Sequence, residues 1–273
     1  MLVGMPWGSS RRKPAPRSGG ALPLLAIGGL VVAALAFSAV RPDPDRPGGM
    51  VVLYGDSLSM ESSPYFTEEM ARISSALVIT KPVPGSAPCD ALETMRADAT
   101  LQPSVVVIQY VGNNGTDCTR TGDGDRQTGQ ALADRYGADV RAAADIFAGD
   151  GTRVVLVGGP VAPGLPGGAE DDIAAAYRQI VAEWDGRAYG MVRYADAAAT
   201  VTAPGHAYAE RLPCADDEGP GQGCDRGEVK VRSPDRAHFC PADGAYLVCP
   251  VPSPGARRFG REMARVAREA MDD

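Results

Sequence analysis

The sequence is poor in histidine, with only His206 and His238 among 273 residues. Histidine is the commonest metal ligand and the usual general base near neutral pH. Two histidines well separated in the chain do not suggest a compact metal cluster, and the six cysteines are expected to form disulfides rather than thiolate ligands. The chain also lacks the Gly-rich pattern of phosphate-binding loops. We therefore expect no metal and no other cofactor, and an imidazole base must be one of these two residues.

Positive charge is also scarce once the N-terminus is set aside. Four of the 27 basic residues lie within the first 20 residues, which contain no acidic residue. The rest of the chain has 23 basic and 34 acidic residues, which gives a net charge of −11 at pH 7. This excess of negative charge disfavours binding to nucleic acid and electrostatic docking on an anionic membrane surface.

Charged residues are missing altogether from residues 21–40. This apolar stretch matches the roughly 20 residues that a helix needs to cross a bilayer. The basic head before it, residues 1–20, is predicted to stay in the cytoplasm, so we expect a single-pass membrane anchor with an extracytoplasmic domain. Ala34-Leu35-Ala36 also fits a signal-peptide cleavage site, and secretion is the alternative. Residues 41–49, RPDPDRPGG, indicate a Pro-rich linker, which leaves residues 50–273 as one folded domain.

The cysteines all lie in the part of the chain that we predict to be exported. An even number in an oxidising compartment suggests disulfides, although six cysteines allow many connectivities. Two local pairs would close short loops and would leave the remaining two cysteines for each other. The candidates are Cys214 with Cys224, Cys240 with Cys249, and Cys89 with Cys118.

Apolar runs alternate with amphipathic stretches from residue 50 to the C-terminus, without an internal repeat. The alternation predicts five β-α units, and therefore a parallel sheet with helices on both faces. Strands are predicted at residues 50–54, 77–81, 104–111, 153–158 and 191–194, and helices at 63–75, 89–99, 128–148, 170–184 and 255–271. Two long loops, 112–126 and 203–232, are candidates for the binding region, because ligands of open α/β sheets bind at the carboxyl ends of the strands.

The first predicted strand ends in Gly55-Asp56-Ser57. These residues have two interpretations: Ser57 is a nucleophile at the end of a buried strand, or Asp56 and Ser57 cap the following helix. A serine nucleophile needs a base that is oriented by a third group. His238 has Asp235 three residues before it, whereas His206 has Ala203 at that position, so we favour His238 as the base.

Acyl transfer also needs donors for an oxyanion, and two loops after strands offer them. Gly85 follows the second strand, and Gly112 and Asn114 follow the third. A Gly N–H can approach a ligand closely, and an Asn amide can donate beside it. Ordinary turns use the same residue types, so neither loop is decisive alone.

In their order and position, these four features resemble the sequence blocks of the SGNH or GDSL hydrolase family, which is named for its Ser, Gly, Asn and His. The matching sequences are GDSLS at 55–59, Gly85, GNN at 112–114 and DRAH at 235–238. The resemblance covers residues 50–273, and it implies a three-layer α/β/α sandwich with a flavodoxin-like parallel sheet. Two departures are Met60 after the first block and Gly115, where the family often has Asp.

The resemblance also implies roles for individual residues. Ser57 would be the nucleophile, His238 the general base and Asp235 its orienting carboxylate. The N–H groups of Ser57 and Gly85 and the side chain of Asn114 would form the oxyanion hole. Helix capping then falls to Ser59 and the residues after it. A Cys89–Cys118 bridge would join the two loops that carry the oxyanion donors.

The function expected from these roles is an exported serine esterase that acts through an acyl-enzyme on Ser57. Its substrate would be a small-molecule, lipid or glycan ester, and its membrane contact would be made by the N-terminal anchor. An O-acyltransferase or O-acetylesterase acting on cell-envelope polysaccharide is one alternative, because it would use the same site. A catalytically silent glycan-binding domain is the other.

Overall fold

A computed structural model describes residues 48–165, 167–188, 190–244 and 248–272. The predicted cytoplasmic head, the anchor or signal peptide at 21–40 and most of the linker lie outside the described residues. None of the helices in the described ranges has the length and apolar character needed to span a bilayer.

Five parallel strands form the central sheet, as the sequence predicts. They are β1 (Met50–Gly55), β2 (Leu77–Pro82), β3 (Val105–Gln109), β4 (Arg153–Val157) and β5 (Val192–Ala195). Their order in the sheet is β2-β1-β3-β4-β5, and every neighbouring pair is parallel. β3 is buried throughout and β1 and β4 almost so, which explains why these strands consist mainly of apolar residues.

Five helices cover the two faces of the sheet. They are α1 (Ser57–Ile73), α2 (Pro88–Ala99), α3 (Gly129–Ala148), α4 (Glu170–Asp185) and α5 (Pro254–Asp272). α1 and α5 pack against one face around one apolar core, and α2, α3 and α4 cover the other face around a second core. The predicted three-layer α/β/α sandwich with a flavodoxin-like strand order is thereby confirmed.

The loop 203–232 contains a structure that the sequence pattern did not indicate. Two short strands, β6 (Arg211–Pro213) and β7 (Glu228–Lys230), form a separate antiparallel sheet. Each strand has only three residues, which is too short to show a period of alternation.

The start of α1 differs from the prediction. The helix begins at Ser57 rather than near residue 63, and its N-cap is Asp56, whose carboxylate accepts the N–H of Leu58 at 2.9 Å. The assignment of capping to Ser59 is therefore wrong: Ser59 is buried, and its hydroxyl donates to Gln109 at 2.7 Å. A Cβ at residue 55 would lie 2.5 Å from the carbonyl oxygen of Gln109, so only Gly55 lets the strand turn directly into the helix.

This turn lies where ligands bind in such sheets. β2 lies on one side of β1 and β3 lies on the other. The chain therefore extends the sheet in one direction after β1 and in the opposite direction from β3 onward. The crevice at the carboxyl ends of these strands is the switch point at which open α/β sheets bind ligands. The fold therefore places Ser57 at this crevice.

Candidate active site

Three side chains from distant parts of the chain meet at the start of α1. Nε2 of His238 lies 2.8 Å from the hydroxyl oxygen of Ser57, although 181 positions separate the two residues. Nδ1 of His238 lies 2.6 Å from Oδ2 of Asp235. Both distances are within hydrogen-bond range. The structure therefore brings together the three residues predicted to carry out catalysis.

The loop that carries His238 is organised by the carboxylate of Asp235. Its Oδ1 accepts the backbone N–H groups of Ala237 at 2.9 Å and His238 at 3.0 Å, as well as the hydroxyl of Ser233. Burial opposes ionisation of Asp235, but these hydrogen bonds and the one from the imidazole together hold its pKa well below the ordinary value. An ionised Asp235 keeps the proton of the neutral imidazole on Nδ1, which leaves Nε2 free to accept from Ser57.

The other histidine, His206, has a different environment. Its Nε2 lies 3.3 Å from Asp196, and its side chain is 46% exposed. The residues that line the cavity around Ser57 do not include it. The preference for His238 as the candidate base agrees with this arrangement.

Asp56 connects the nucleophile turn to the loop after β3. Its Oδ2 accepts the N–H of Val111 at 2.9 Å, and the side-chain amide of Asn113 lies 3.4 Å from the same oxygen. The carboxyl group is fully buried, and burial raises its pKa to about 6 against the opposing effect of its hydrogen bonds. Asp56 therefore fixes the position of Asn113 relative to the start of α1.

Asn113, rather than Asn114, faces the nucleophile turn. The amide nitrogen of Asn113 donates to the carbonyl oxygen of Ser86 at 3.1 Å, next to Gly85. The side chain of Asn114 is buried, and its amide nitrogen donates to the backbone of Gln127 at 2.9 Å. The structure therefore does not bring Asn114 to the position that the resemblance implies.

The backbone after β3 explains this difference. Gly112 has φ +93°, a left-handed conformation that changes the direction of the chain. The hydroxyl of Tyr136 donates to the backbone carbonyl of Asn113 at 2.8 Å. With the backbone in this position, the side-chain amide of Asn113 points toward Asp56. Counting from the motif could not reveal this, because the two adjacent asparagines both fit the chemistry.

Gly85 lies in an exposed turn beside Asn113. Its φ of +75° favours glycine, and no described heavy atom lies within 4 Å of the place that a Cβ would occupy. The neighbouring Pro84 lines the cavity that contains Ser57. Gly85 is therefore an exposed residue at the edge of this cavity.

The three disulfides match the pairs considered from the sequence: Cys89–Cys118, Cys214–Cys224 and Cys240–Cys249. Cys89 lies in the first turn of α2, and Cys118 lies in a short 3-10 helix of the loop after β3. The first bridge thus joins the segments that follow Gly85 and Asn113. In the described ranges, Asp90 and these two sulfurs form the one cluster of metal-ligand residue types, but oxidised sulfurs cannot act as thiolate ligands.

Replacing both Cys89 and Cys118 by serine should lower the free energy of unfolding by about 3 to 4 kcal/mol, because the bridge closes a long loop. It should also lower kcat, since the Gly85 and Asn113 segments lose their covalent link. Denaturant unfolding and ester hydrolysis measure the two effects. The matched control removes Cys214 and Cys224, which should cost stability but leave kcat unchanged. Equal kcat values for the two double variants would contradict the expected link to the site.

A cavity of about 700 Å³ opens in front of Ser57. This volume is within the range of small-molecule binding clefts. Its wall combines apolar, hydroxyl and acidic groups. The lining residues are Ser57, Met60, Glu61, Pro84, Ser233, Pro234, Asp235, His238, Cys240 and Gly244.

Comparison with known proteins gives a likeness in structure. No family model matches the chain, and no curated protein matches it. A proposed acylhydrolase from Bacteroides fragilis has 15% sequence identity and a TM-score of 0.50, over 85% of this chain and 91% of that chain. TesA has 15% identity and a TM-score of 0.47, over 81% of this chain and 99% of its own. A proposed lipolytic protein of the G-D-S-L family from Desulfitobacterium hafniense has 14% identity and a TM-score of 0.47, over 80% of this chain and 98% of that chain.

Proposed function

We propose that this chain, which has the fold and the ordered sequence blocks of the SGNH hydrolases, is a serine esterase. The observation that carries the proposal is the continuous line of hydrogen bonds from Ser57 through His238 to Asp235, with distances of 2.8 and 2.6 Å. A hydroxyl, an imidazole and an ionised carboxylate in this order are the groups that acyl transfer through serine requires.

The reaction begins when the hydroxyl oxygen of Ser57 attacks the carbonyl carbon of an ester. Nε2 of His238 takes the hydroxyl proton, and Asp235 stabilises the resulting imidazolium. His238 then gives the proton to the leaving alcohol as the acyl-enzyme forms. A water molecule, deprotonated by the same nitrogen, attacks the acyl-enzyme and releases the acid and Ser57.

The negative charge that develops on the ester oxygen needs donors that are already in place. Ser57 is the first residue of α1, and the first N–H groups of a helix have no acceptor within it. We assign the oxyanion hole to the N–H groups of Ser57 and Gly85 and to the side-chain amide of Asn113, which takes the part that the sequence resemblance gave to Asn114. The long 3.4 Å contact of Asn113 with Asp56 is the one that an oxyanion would replace.

Exchanging each asparagine for alanine distinguishes the two assignments. N113A should lower kcat by about 10²- to 10³-fold, the effect expected when one oxyanion donor is lost. N114A should instead lower the melting temperature, because it leaves the backbone of Gln127 without its partner. Steady-state kinetics and thermal unfolding of both variants measure these effects. A large loss of kcat in N114A alone would restore the original assignment.

The location that fits the proposal is extracytoplasmic. Three disulfides support an oxidising compartment. Residues 21–40 would hold the domain at the membrane, or would be removed as a signal peptide. The substrate class is a carboxylic ester of a lipid or an acylated glycan, and transfer of the acyl group to a sugar hydroxyl would use the same acyl-enzyme.

A covalent probe tests the proposed reaction directly. A fluorophosphonate should add to the full-length chain once, and peptide mapping should place the adduct on Ser57. Release of p-nitrophenol from a short-chain ester, followed with and without an acetylated or free oligosaccharide, then separates hydrolysis from transfer. Labelling at another serine, with no ester turnover, would favour the silent binding domain.

A further inference from the structure

We infer that Glu61 is a positioning residue. It holds the loop that carries His238 (residues 233–240, here called the base loop) in register with α1, the helix that begins at Ser57. The inference rests on the proposed function, because it concerns how His238 reaches Ser57. The family blocks do not include Glu61, and it takes part in none of the chemical steps above.

Two consecutive residues of the base loop are bonded to two positions of α1. Nε2 of His238 lies 2.8 Å from the hydroxyl oxygen of Ser57, and the backbone N–H of Phe239 donates to Oε2 of Glu61 at 2.7 Å. Ser57 and Glu61 are four residues apart in one helix, so they lie on the same face, one turn from each other. The loop is thus attached to the helix at two points on the same side.

The carboxylate of Glu61 is partly buried in the wall of the cavity in front of Ser57. Burial raises the pKa of Glu61 above its ordinary value, while the N–H groups of Phe239 and Cys240 and the nearby His238 favour the charged form. The N–H of Phe239, which donates to Oε2 at 2.7 Å, gives this partly buried carboxylate a backbone partner. Glu61 is therefore bonded to the loop that carries His238.

The rest of the loop is fixed by the side chain of Phe239. This ring is fully buried, packs on Phe259 of α5 at 5.2 Å between ring centroids, and lies under the guanidinium group of Arg232, also at 5.2 Å. Packing therefore fixes the position of residue 239, and the hydrogen bond to Glu61 fixes the orientation of its peptide group. The orientation of that peptide determines where the preceding residue, His238, places its ring.

Glu61 does not need to act on the imidazole itself. Both ring nitrogens of His238 already have partners, Nδ1 in Asp235 and Nε2 in Ser57. The contacts of Glu61 are with the backbone after the ring. Its effect on the reaction is therefore expected to come from alignment of the base, and misplacement by about 1 Å can cost about 100-fold in rate.

The test compares E61A with E61Q in the full-length chain, with p-nitrophenyl acetate as substrate. E61A removes the acceptor and should lower kcat by about 10- to 100-fold, with KM changed by less than about threefold. E61Q retains a side-chain oxygen that can accept the N–H of Phe239, so it should recover kcat to within about fivefold of the parent chain. The second-order rate of fluorophosphonate labelling should fall and recover in parallel, because it reports the reactivity of Ser57 without deacylation.

A matched control and a second background complete the test. Glu68 is exposed on the same helix, and E68A should behave as the parent chain. In an H238A background, E61A should cause no further loss of labelling, because its effect passes through the base. Thermal unfolding of each variant shows that it is folded.

Three outcomes would overturn the inference. They are parent-like kcat in E61A, equal losses in E61A and E61Q, and a further loss of the same size in the H238A background. Failure of the proposed function is distinguishable from these, because S57A would then hydrolyse the ester as well as the parent chain does.

Discussion

Replacing Ser57 by alanine is expected to lower kcat for hydrolysis of a p-nitrophenyl ester by about 10⁴-fold or more, and to abolish fluorophosphonate labelling. No other hydroxyl is bonded to Nε2 of His238 in the described part of the chain, so the acyl-enzyme has no alternative nucleophile there. The residual rate would come from binding and from the oxyanion donors.

The same substitution should leave the fold unchanged. Ser57 is the first residue of α1, its capping neighbour Asp56 is retained, and alanine is compatible with a helix. The free energy of unfolding should therefore change by no more than about 0.5 kcal/mol. S63A is the matched control, since Ser63 lies on the same helix and its hydroxyl donates to the backbone of Met60. Turnover by S57A equal to that by S63A would disprove the assignment of the nucleophile.

Replacing His238 by alanine is the second large effect, and kcat should fall by about 10³-fold or more. The variant loses the acceptor of the Ser57 proton and the donor to the leaving alcohol in one step. H206A is an informative control, because it removes the other histidine, whose Nε2 lies 3.3 Å from Asp196 instead. Its kinetic constants should stay within about twofold of the parent values, as is typical of exposed residues outside a site. Loss of activity in H206A comparable to that in H238A would contradict the assignment of the base.

Asp235 gives the expected dependence on pH a direction. Its pKa is held below the ordinary value, so the stability that it contributes is present above pH 4 or so and is lost as the pH falls through the lowered value. D235N should lower kcat and should remove this acid-range contribution, which denaturant unfolding between about pH 2 and pH 5 measures.

The local sequence predicts both the fold and the three side chains that we propose to carry out the reaction. Near-continuous apolar runs predict the five strands, because a parallel strand is covered on both faces. His238 can be selected because a single histidine has an acid three residues before it, and a three-residue spacing lets Asp235 reach its ring. The boundaries of strands and helices were less accurate, as the start of α1 at Ser57 instead of residue 63 illustrates.

The details that align these groups depend on contacts between distant segments. The choice between Asn113 and Asn114 is made by Asp56, Tyr136 and Gln127, which approach from three other parts of the chain. The bond between Glu61 and the N–H of Phe239 likewise joins residues 178 positions apart. Motif spacing specifies which residues are available, but the direction of a side chain after a left-handed glycine, and the partner it finds, are decided only when the strands and helices pack together.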